Sequence, residues 1–384
     1  MSVKQIHELV NATTLEVLGE TGLIEEDFTN LVDIGNEIFD TDNVDNYVKK
    51  LVNRIGKTVF VNKKYQGNVP SVIMDSWEYG SVVQKVRAEL PTASVNESWQ
   101  LEHGKEYKTD IFYQPEVSAK FFNNMVTFEI PMSFTERQVK ESFNNSSELN
   151  SFIAMLTTSV ENALTVRLND LIMSTINNFT AETLFQEIGL DGDSGELLAG
   201  TGVKAVNLKE VTGYTEDLET ALTDSEFIKK SVHLINTYKD RLTNLSVLFN
   251  LGGVDTFTNK SELNLVLHSE FASSSDVYLK ADTRNKELVE ISNFSTVPFW
   301  QGSGTTYSLD DTTAIEVKTS EGNVVNTSGI LGVMFDKQAL GVSNLDKRVT
   351  TNYNPKAEFY TNFYKVDSGY FNDFNENFVV FYFA

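Results

Sequence analysis

Catalysis or metal binding would need grouped histidines, a paired set of carboxylates, a glycine-rich anion loop or an activated nucleophile. The sequence holds pieces of each in arrangements that do not assemble. Its four histidines, His7, His103, His233 and His268, have no metal-ligand spacing between them and no HExxH. An ordinary surface or half-buried histidine is the plain reading of each. The stretch DGDSGE at 191–196 resembles the opening of a calcium loop, but its glycine falls one place early. Gly202 also stands at the twelfth position, where a bidentate glutamate is required. A solvated turn accounts for it. QGSGTT at 301–306 has neither a P-loop lysine nor a strand–GxGxxG–helix context, so it too reads as a turn.

There is no GxSxG, hence no nucleophile elbow, and no cysteine, hence no thiol catalysis, disulfide or Cys-type zinc site. With 54 acidic residues, carboxylate pairs arise by chance, and spacing alone designates no glycosidase-like pair. Triplets such as Asn178–Thr180 matter only in a secreted chain. The expectation is a protein that is not an enzyme and carries no cofactor or metal.

The bulk properties narrow the class further. In 384 residues, 41% hydrophobic and 22% charged, there is enough apolar material for a sizeable core. A net charge of −23 argues against a grip on nucleic acid, which needs clustered Lys and Arg to displace counterions from phosphates. No apolar run approaches the ~18 residues needed to cross a bilayer, and the first twenty residues lack a signal core, so no membrane association is expected. The missing cysteines fit a reducing cytoplasm.

The elements that would position anything change character along the chain. Ile6, Leu9, Val10, Val17 and Leu18, and later Val44, Tyr47, Val48, Leu51, Val52 and Ile55, recur at helical spacing. Phe28, Leu31, Val32, Ile38 and Phe39 suggest a further turn or two between them. The period then becomes two. Val82, Val86, Ala88 and Leu90 alternate with Val83, Lys85, Arg87 and Glu89, and Val126, Phe128, Ile130 and Met132 alternate with polar residues and Pro131. These two runs, with the polar stretch 91–116 between them, predict a long two-stranded arm over residues 70–133. Such a ribbon is marginal in water and needs a surface to lie on.

An apolar stripe from Leu149 to Phe179, uninterrupted by Gly or Pro, predicts one amphipathic helix over 146–179, about 50 Å long. A Gly-rich irregular segment (187–216), a helix near 224–245 and short strands at 263–268, 296–300, 314–319 and 329–335 follow. The fold class is therefore α+β. The chain closes on an aromatic tract, with twelve aromatic residues in its last 32 positions. In NFVVFYFA, Phe378, Val380 and Tyr382 face one way and Val379, Phe381 and Phe383 the other, so the strand must be covered on both faces. A neighbouring molecule or the chain's own core could provide the second cover.

The segments VYLKADTRNKELVEISNFSTVPFWQGSG (277–304) and SGILGVMFDKQALGVSNLDKRVTTNYNPKAEFYTNFYKVDSGYFNDFNENFVVFYFA (328–384), with the order ribbon then long helix, resemble major capsid proteins of tailed bacteriophages, the Hong Kong 97 family. The resemblance implies an N-arm (1–60), an extended E-loop (61–135), a peripheral domain with its spine helix (136–215), an axial domain (216–344), and C-terminal strands returning to the peripheral domain (345–384). It implies a structural protein that self-assembles head-to-tail into hexamers and pentamers of an icosahedral head. That head would be assembled in the host cytoplasm and would enclose double-stranded DNA without sequence-specific binding. Acidic walls would keep packaged DNA mobile by repulsion. The implied partners are further copies of the chain, a separate scaffold protein and a portal protein, and the implied location is the virion shell. Val82, Val86, Phe128, Ile130, Phe378, Val380 and Tyr382 are the candidate inter-subunit contacts. Some members of the family crosslink an E-loop lysine to a neighbour, and Lys105, Lys108 and Lys120 are candidates by position, solvated lysine being the ordinary case.

Two other readings stand beside this one. A decoration or tail component of a virion is disfavoured by the ribbon-then-helix order. A cytosolic hydrolase using paired carboxylates is disfavoured by the missing motifs.

Overall fold

The computed structural model describes residues 3–18, 23–25, 30–39, four positions between 47 and 72, 83–88, most of 90–138, 146–191, 196–282, 294–301 and 311–384. Two helices, α1 (Val3–Leu18) and α2 (Leu31–Phe39), open the chain. Val10, Ile24, Leu31, Tyr47 and Leu51 are buried here, Thr14 Oγ1 lies 3.2 Å from Tyr47 Oη, and α1 touches the long helix described below. The helix expected over 44–55 lies almost wholly outside the described residues.

A two-stranded antiparallel ribbon follows, β1 (Val83–Ala88) paired with β2 (Val117–Phe122). The next strand, β3 (Met125–Thr135), does not belong to it. It pairs with the C-terminal hairpin, β10 (Leu340–Asn354) and β11 (Phe359–Asn372), in the order β10-β11-β3, with Phe128 opposite Val366 and Ile130 opposite Tyr364. The expected arm over 70–133 is thus corrected: the ribbon closes on β2, and β3 is the third strand of a separate antiparallel sheet. Period-two alternation identifies a strand but not its partner, and β3's partner lies more than two hundred residues downstream.

The long helix, α3 (Ser146–Glu187), is continuous and at 42 residues spans about 63 Å. It runs eight residues past the expected end. Val160, Leu164, Leu168 and Ile172 mark the expected stripe, but from Ile172 to Leu184 every residue except Ser174 and Asn178 is buried. This half of the helix is therefore not amphipathic. It is wedged between two sheets, lying against β10, β11 and β3 as well as β4 (Ala205–Asn207) and β12 (Phe378–Tyr382). Its buried threonines are satisfied within the helix, Thr175, Thr180 and Thr183 donating to carbonyls four residues back at 2.7, 3.0 and 2.9 Å.

Beyond β4 come α4 (Leu208–Thr212), α5 (Leu218–Thr223), α6 (Ser225–Arg241), β5 (Leu263–His268), α7 (Ser269–Asp282), β6 (Ser295–Val297), the hairpin β7 (Ile315–Lys318)–β8 (Val324–Thr327), and β9 (Ile330–Asp336). A five-stranded mixed sheet, ordered β4-β12-β9-β5-β6, forms the centre of this part. The last strand, β12, is the second from its edge. One face of β12 packs on α3, with the Phe378 and Phe179 rings stacked at 4.1 Å, and the other meets α6, with Phe381 edge-on to Tyr238 at 5.5 Å. Gly329 lets the chain close here. Its φ is +77°, and a Cβ at that point would fall 2.0 Å from the Phe383 carbonyl oxygen.

Candidate assembly interface

The ribbon's register sorts its side chains. Val83, Lys85, Arg87, Lys120 and Phe122 share one face, and Gln84, Val86, Ala88, Val117, Ala119 and Phe121 share the other. The face turned toward the body is largely charged. Lys85 Nζ lies 3.1 Å and Lys120 Nζ 3.3 Å from the two carboxylate oxygens of Asp373, whose side chain is buried. Arg87 Nη2 donates to Thr256 Oγ1 at 2.7 Å and lies 3.6 Å from Glu376 Oε2, while its Nη1 donates to the Asn375 carbonyl at 3.3 Å. Lys85 also donates to the Gln338 carbonyl and sits 4.9 Å above the Phe371 ring, which meets Phe122 at 5.0 Å. Both acids come from the short turn 373–377 that links β11 to β12. Burial pushes the Glu376 carboxyl above its usual range, with Arg87 and Lys85 pulling the other way. A space of about 230 Å³ remains between the ribbon and this turn.

The other face of the ribbon and its otherwise polar tip hold large apolar side chains uncovered. Val86 is 62% exposed, Trp99 95%, Val95 94%, Phe112 86% and Tyr113 81%. The tip is shaped rather than loose. A turn of 3-10 helix over Glu97–Trp99 is capped by Asn96, whose Oδ1 accepts from Ser98 N at 2.8 Å, and Glu102 N donates to Tyr107 Oη at 2.9 Å. Large aromatics held out together in this way differ from a singly exposed apolar residue, which is ordinary.

The candidate residues fare differently. Val86 does point outward, and Val82 lies outside the described residues. Phe128 and Ile130 are half-buried on β3, opposite the buried Val366 and Tyr364, in the sheet that lies against α3. They are not ribbon residues, which corrects that assignment. Phe378, Val380 and Tyr382 are at most 1% exposed within their own subunit. They are core residues rather than contacts, because α3 and the rest of the five-stranded sheet already cover them. Of the lysines, Lys120 is engaged at Asp373, Lys105 pairs with Glu97 at 2.7 Å within the tip, and Lys108 lies outside the described residues. The residues missed from sequence are Trp99, Phe112 and Tyr113. Their signal was present as isolated aromatics within a polar stretch between two strands.

The four histidines sit on separate elements: α1, the ribbon tip, α6 and the end of β5. His268 is buried, and burial pushes its pKa down. Among the described residues no three His, Asp or Glu side chains are grouped to hold a metal, and no described helix is long and apolar enough to cross a membrane.

Comparison with known proteins gives a family and several folds. A model of the Phi29-like phage major capsid protein family matches residues 10–382. No curated protein matches the chain in sequence. Among solved structures, the capsid of Staphylococcus phage Andhra is 11% identical with a TM-score of 0.49, covering 84% of this chain and 86% of that one. A structure of native bacteriophage P68 that includes its head fiber and an inner core protein is 11% identical with a TM-score of 0.48, covering 84% and 87%. The capsid of cyanophage P-SCSP1u is 10% identical with a TM-score of 0.44, covering 85% and 92%.

Proposed function

The chain belongs to the Phi29-like phage major capsid protein family, and on that premise we propose that its copies close head-to-tail into hexamers and pentamers of an icosahedral head around double-stranded DNA. The protein is a structural component of a phage capsid shell. In the proposed assembly the E-loop is the ribbon and its tip, residues 83–122. β3, β10, β11 and α3 make the peripheral domain, and the five-stranded sheet with α4 to α7 makes the axial domain. The last strand, β12, then belongs to the axial domain.

The observation that carries the reading is the uncovered ribbon. A two-stranded sheet has little core of its own, and this one turns Val86 and Phe121 away from the body and ends in Trp99, Phe112 and Tyr113. An adjacent subunit laid under the ribbon would bury them. Each large apolar side chain so covered contributes about 1.5–3 kcal/mol, enough in sum to hold the arm in place. A net charge of −23 suits a wall facing packaged DNA, which a phosphate-binding surface would immobilise. A separate scaffold protein and a portal protein complete the proposed set of partners, with assembly in the host cytoplasm.

Deleting residues 96–106 tests this. The subunit should keep its melting temperature while particle yield, measured by sedimentation and electron microscopy, collapses. If the truncated chain forms shells as readily as the intact one, the ribbon tip is not the contact. If the intact chain stays monomeric at high concentration even beside its scaffold protein, the head-to-tail reading is wrong.

A further inference from the structure

A second uncovered apolar surface lies beside the tip-ward end of the ribbon's paired strands, in the loop between α6 and β5. Leu245, Val247, Leu248 and Phe257 are all exposed within thirteen residues. The loop is built to present them. Ser246 and Thr256 exchange both backbone hydrogen bonds, at 2.9 and 3.3 Å, forming an antiparallel bridge. In such a bridge the residues on either side share one face, so Leu245 lies opposite Phe257, with Val247 beside them. Thr256 and Thr258 point the other way and are buried. Of the apolar run 247–249, Phe249 alone is tucked inward, edge-on to Tyr238 at 5.9 Å. Asn250 locks the loop from beneath, donating to the Val254 carbonyl at 2.7 Å and accepting from Val254 N at 3.0 Å.

This loop and the ribbon are fastened to the same turn. Arg87 of the ribbon donates to Thr256, and a Cβ on Gly252 would fall 1.9 Å from Asn375 Oδ1, so loop and turn are in close contact. The exposed face of the loop and the uncovered face of the ribbon therefore belong to one fixed block. The charged side chains around the loop, Lys239, Asp240, Arg241, Asp255, Lys260 and Glu262, balance at three cations to three anions, and Lys260 is paired with Asp240. The copy of this chain that would cover the ribbon's open face would therefore lie against this patch as well.

We propose that Leu245, Val247, Leu248 and Phe257 form a second strip of the subunit–subunit contact, covered by the body of the same adjacent copy that supports the ribbon. The inference rests on the head-to-tail reading above. A heterologous ring pairs two different faces of the subunit, so a patch on the ribbon-bearing block meets the neighbour's body and not the neighbour's ribbon.

The absence of cysteine makes the test direct. Leu248→Cys and Trp99→Cys are each labelled with a maleimide, in dispersed subunits and in assembled particles free of other proteins. Both thiols should react about tenfold more slowly in particles, since packing at an interface core matches that of protein interiors. If Trp99→Cys is protected and Leu248→Cys is not, the second strip is overturned while the ribbon contact stands. If neither is protected, the head-to-tail reading fails with it. If Leu248→Cys is protected only in particles that also contain a scaffold or other protein, the occupant is that protein, and the proposal is likewise overturned. Leu248→Glu, an exposed change, should leave the subunit's melting temperature in place and lower particle yield.

Discussion

The ribbon and the last strand are both short β segments rich in apolar side chains, and they meet opposite fates. In β12 every side chain is buried, between α3 on one side and α6 on the other. In the ribbon the apolar face and the aromatic tip are open, and the side turned to the body is held mainly by ion pairs to Asp373 and Glu376. The two are joined in space through the turn 373–377, which carries the ribbon's acidic anchors and leads directly into β12. One segment serves the subunit's own stability, and the other, in the assembly proposed above, would be covered by a neighbour. Hydrophobicity marks both as needing cover. Topology decides whether the cover comes from the same chain.

The comparison breaks most visibly if β12 is weakened. Phe378→Ala removes a ring stacked on Phe179 and 5.6 Å from Phe335, in a site with no solvent access. The expected loss is about 3–5 kcal/mol of subunit stability, the transfer term plus the cavity left behind. Denaturant unfolding of the dispersed subunit measures it. A loss near zero would mean that β12 is not the keystone of the five-stranded sheet.

An intermediate effect is expected at the anchor between the two regions. Asp373→Asn deprives Lys85 and Lys120 of their shared carboxylate, at a cost of about 1–3 kcal/mol for groups left partly buried without a charged partner. The loss should be local. Hydrogen exchange of the β1 and β2 amides should accelerate while those of β12 hold, and equal acceleration in both would show that ribbon and core unfold as one unit.

Glu376 adds a pH dependence of defined sign. Burial raises its folded-state pKa above the unfolded value, so the native state holds the proton more tightly. Its charged form therefore works against folding above the folded pKa, and that penalty fades as pH falls through it. Glu376→Gln should flatten this part of the stability–pH curve, in the interval just above the ordinary glutamate range. An unchanged curve would place the titration elsewhere.

Local pattern carried much of this into the sequence. The stripe Val160, Leu164, Leu168 announces α3, and the two-faced run Phe378–Phe383 announces a strand covered on both sides. The ribbon was harder for a physical reason. Val86 and its neighbours alternate correctly, but the phase is inverted relative to the usual rule, with Lys85 and Arg87 inward and Val86 outward. That inversion depends on Asp373 and Glu376, nearly three hundred residues away. The pairing of β3 with β11 is equally non-local. Trp99, Phe112 and Tyr113 were legible as aromatics stranded in a polar stretch, but their exposure follows from the tip's turn geometry, which composition does not disclose.

The smallest expected effect on the subunit is also the sharpest form of the comparison. Trp99 is the largest side-chain type in the chain and is 95% exposed, so its apolar surface is almost as wet in the folded subunit as in the unfolded one. Trp99→Ser should therefore change subunit stability by no more than about 0.5 kcal/mol, the ordinary range for a surface position away from caps, cores and buried pairs. In an assembly the same residue would go from water into a contact, and aromatic anchors at interface centres carry about 2 kcal/mol or more when truncated. Each subunit of a closed ring makes this contact, so the loss recurs at every interface and particle yield should fall steeply. The paired measurement is a melting curve of the dispersed subunit beside sedimentation of the particles. Unchanged melting with lost particles is the signature of surface reserved for a neighbour. A drop in melting temperature as large as that of Phe378→Ala would mean that the tip is covered by its own subunit, and the distinction between the two regions would vanish.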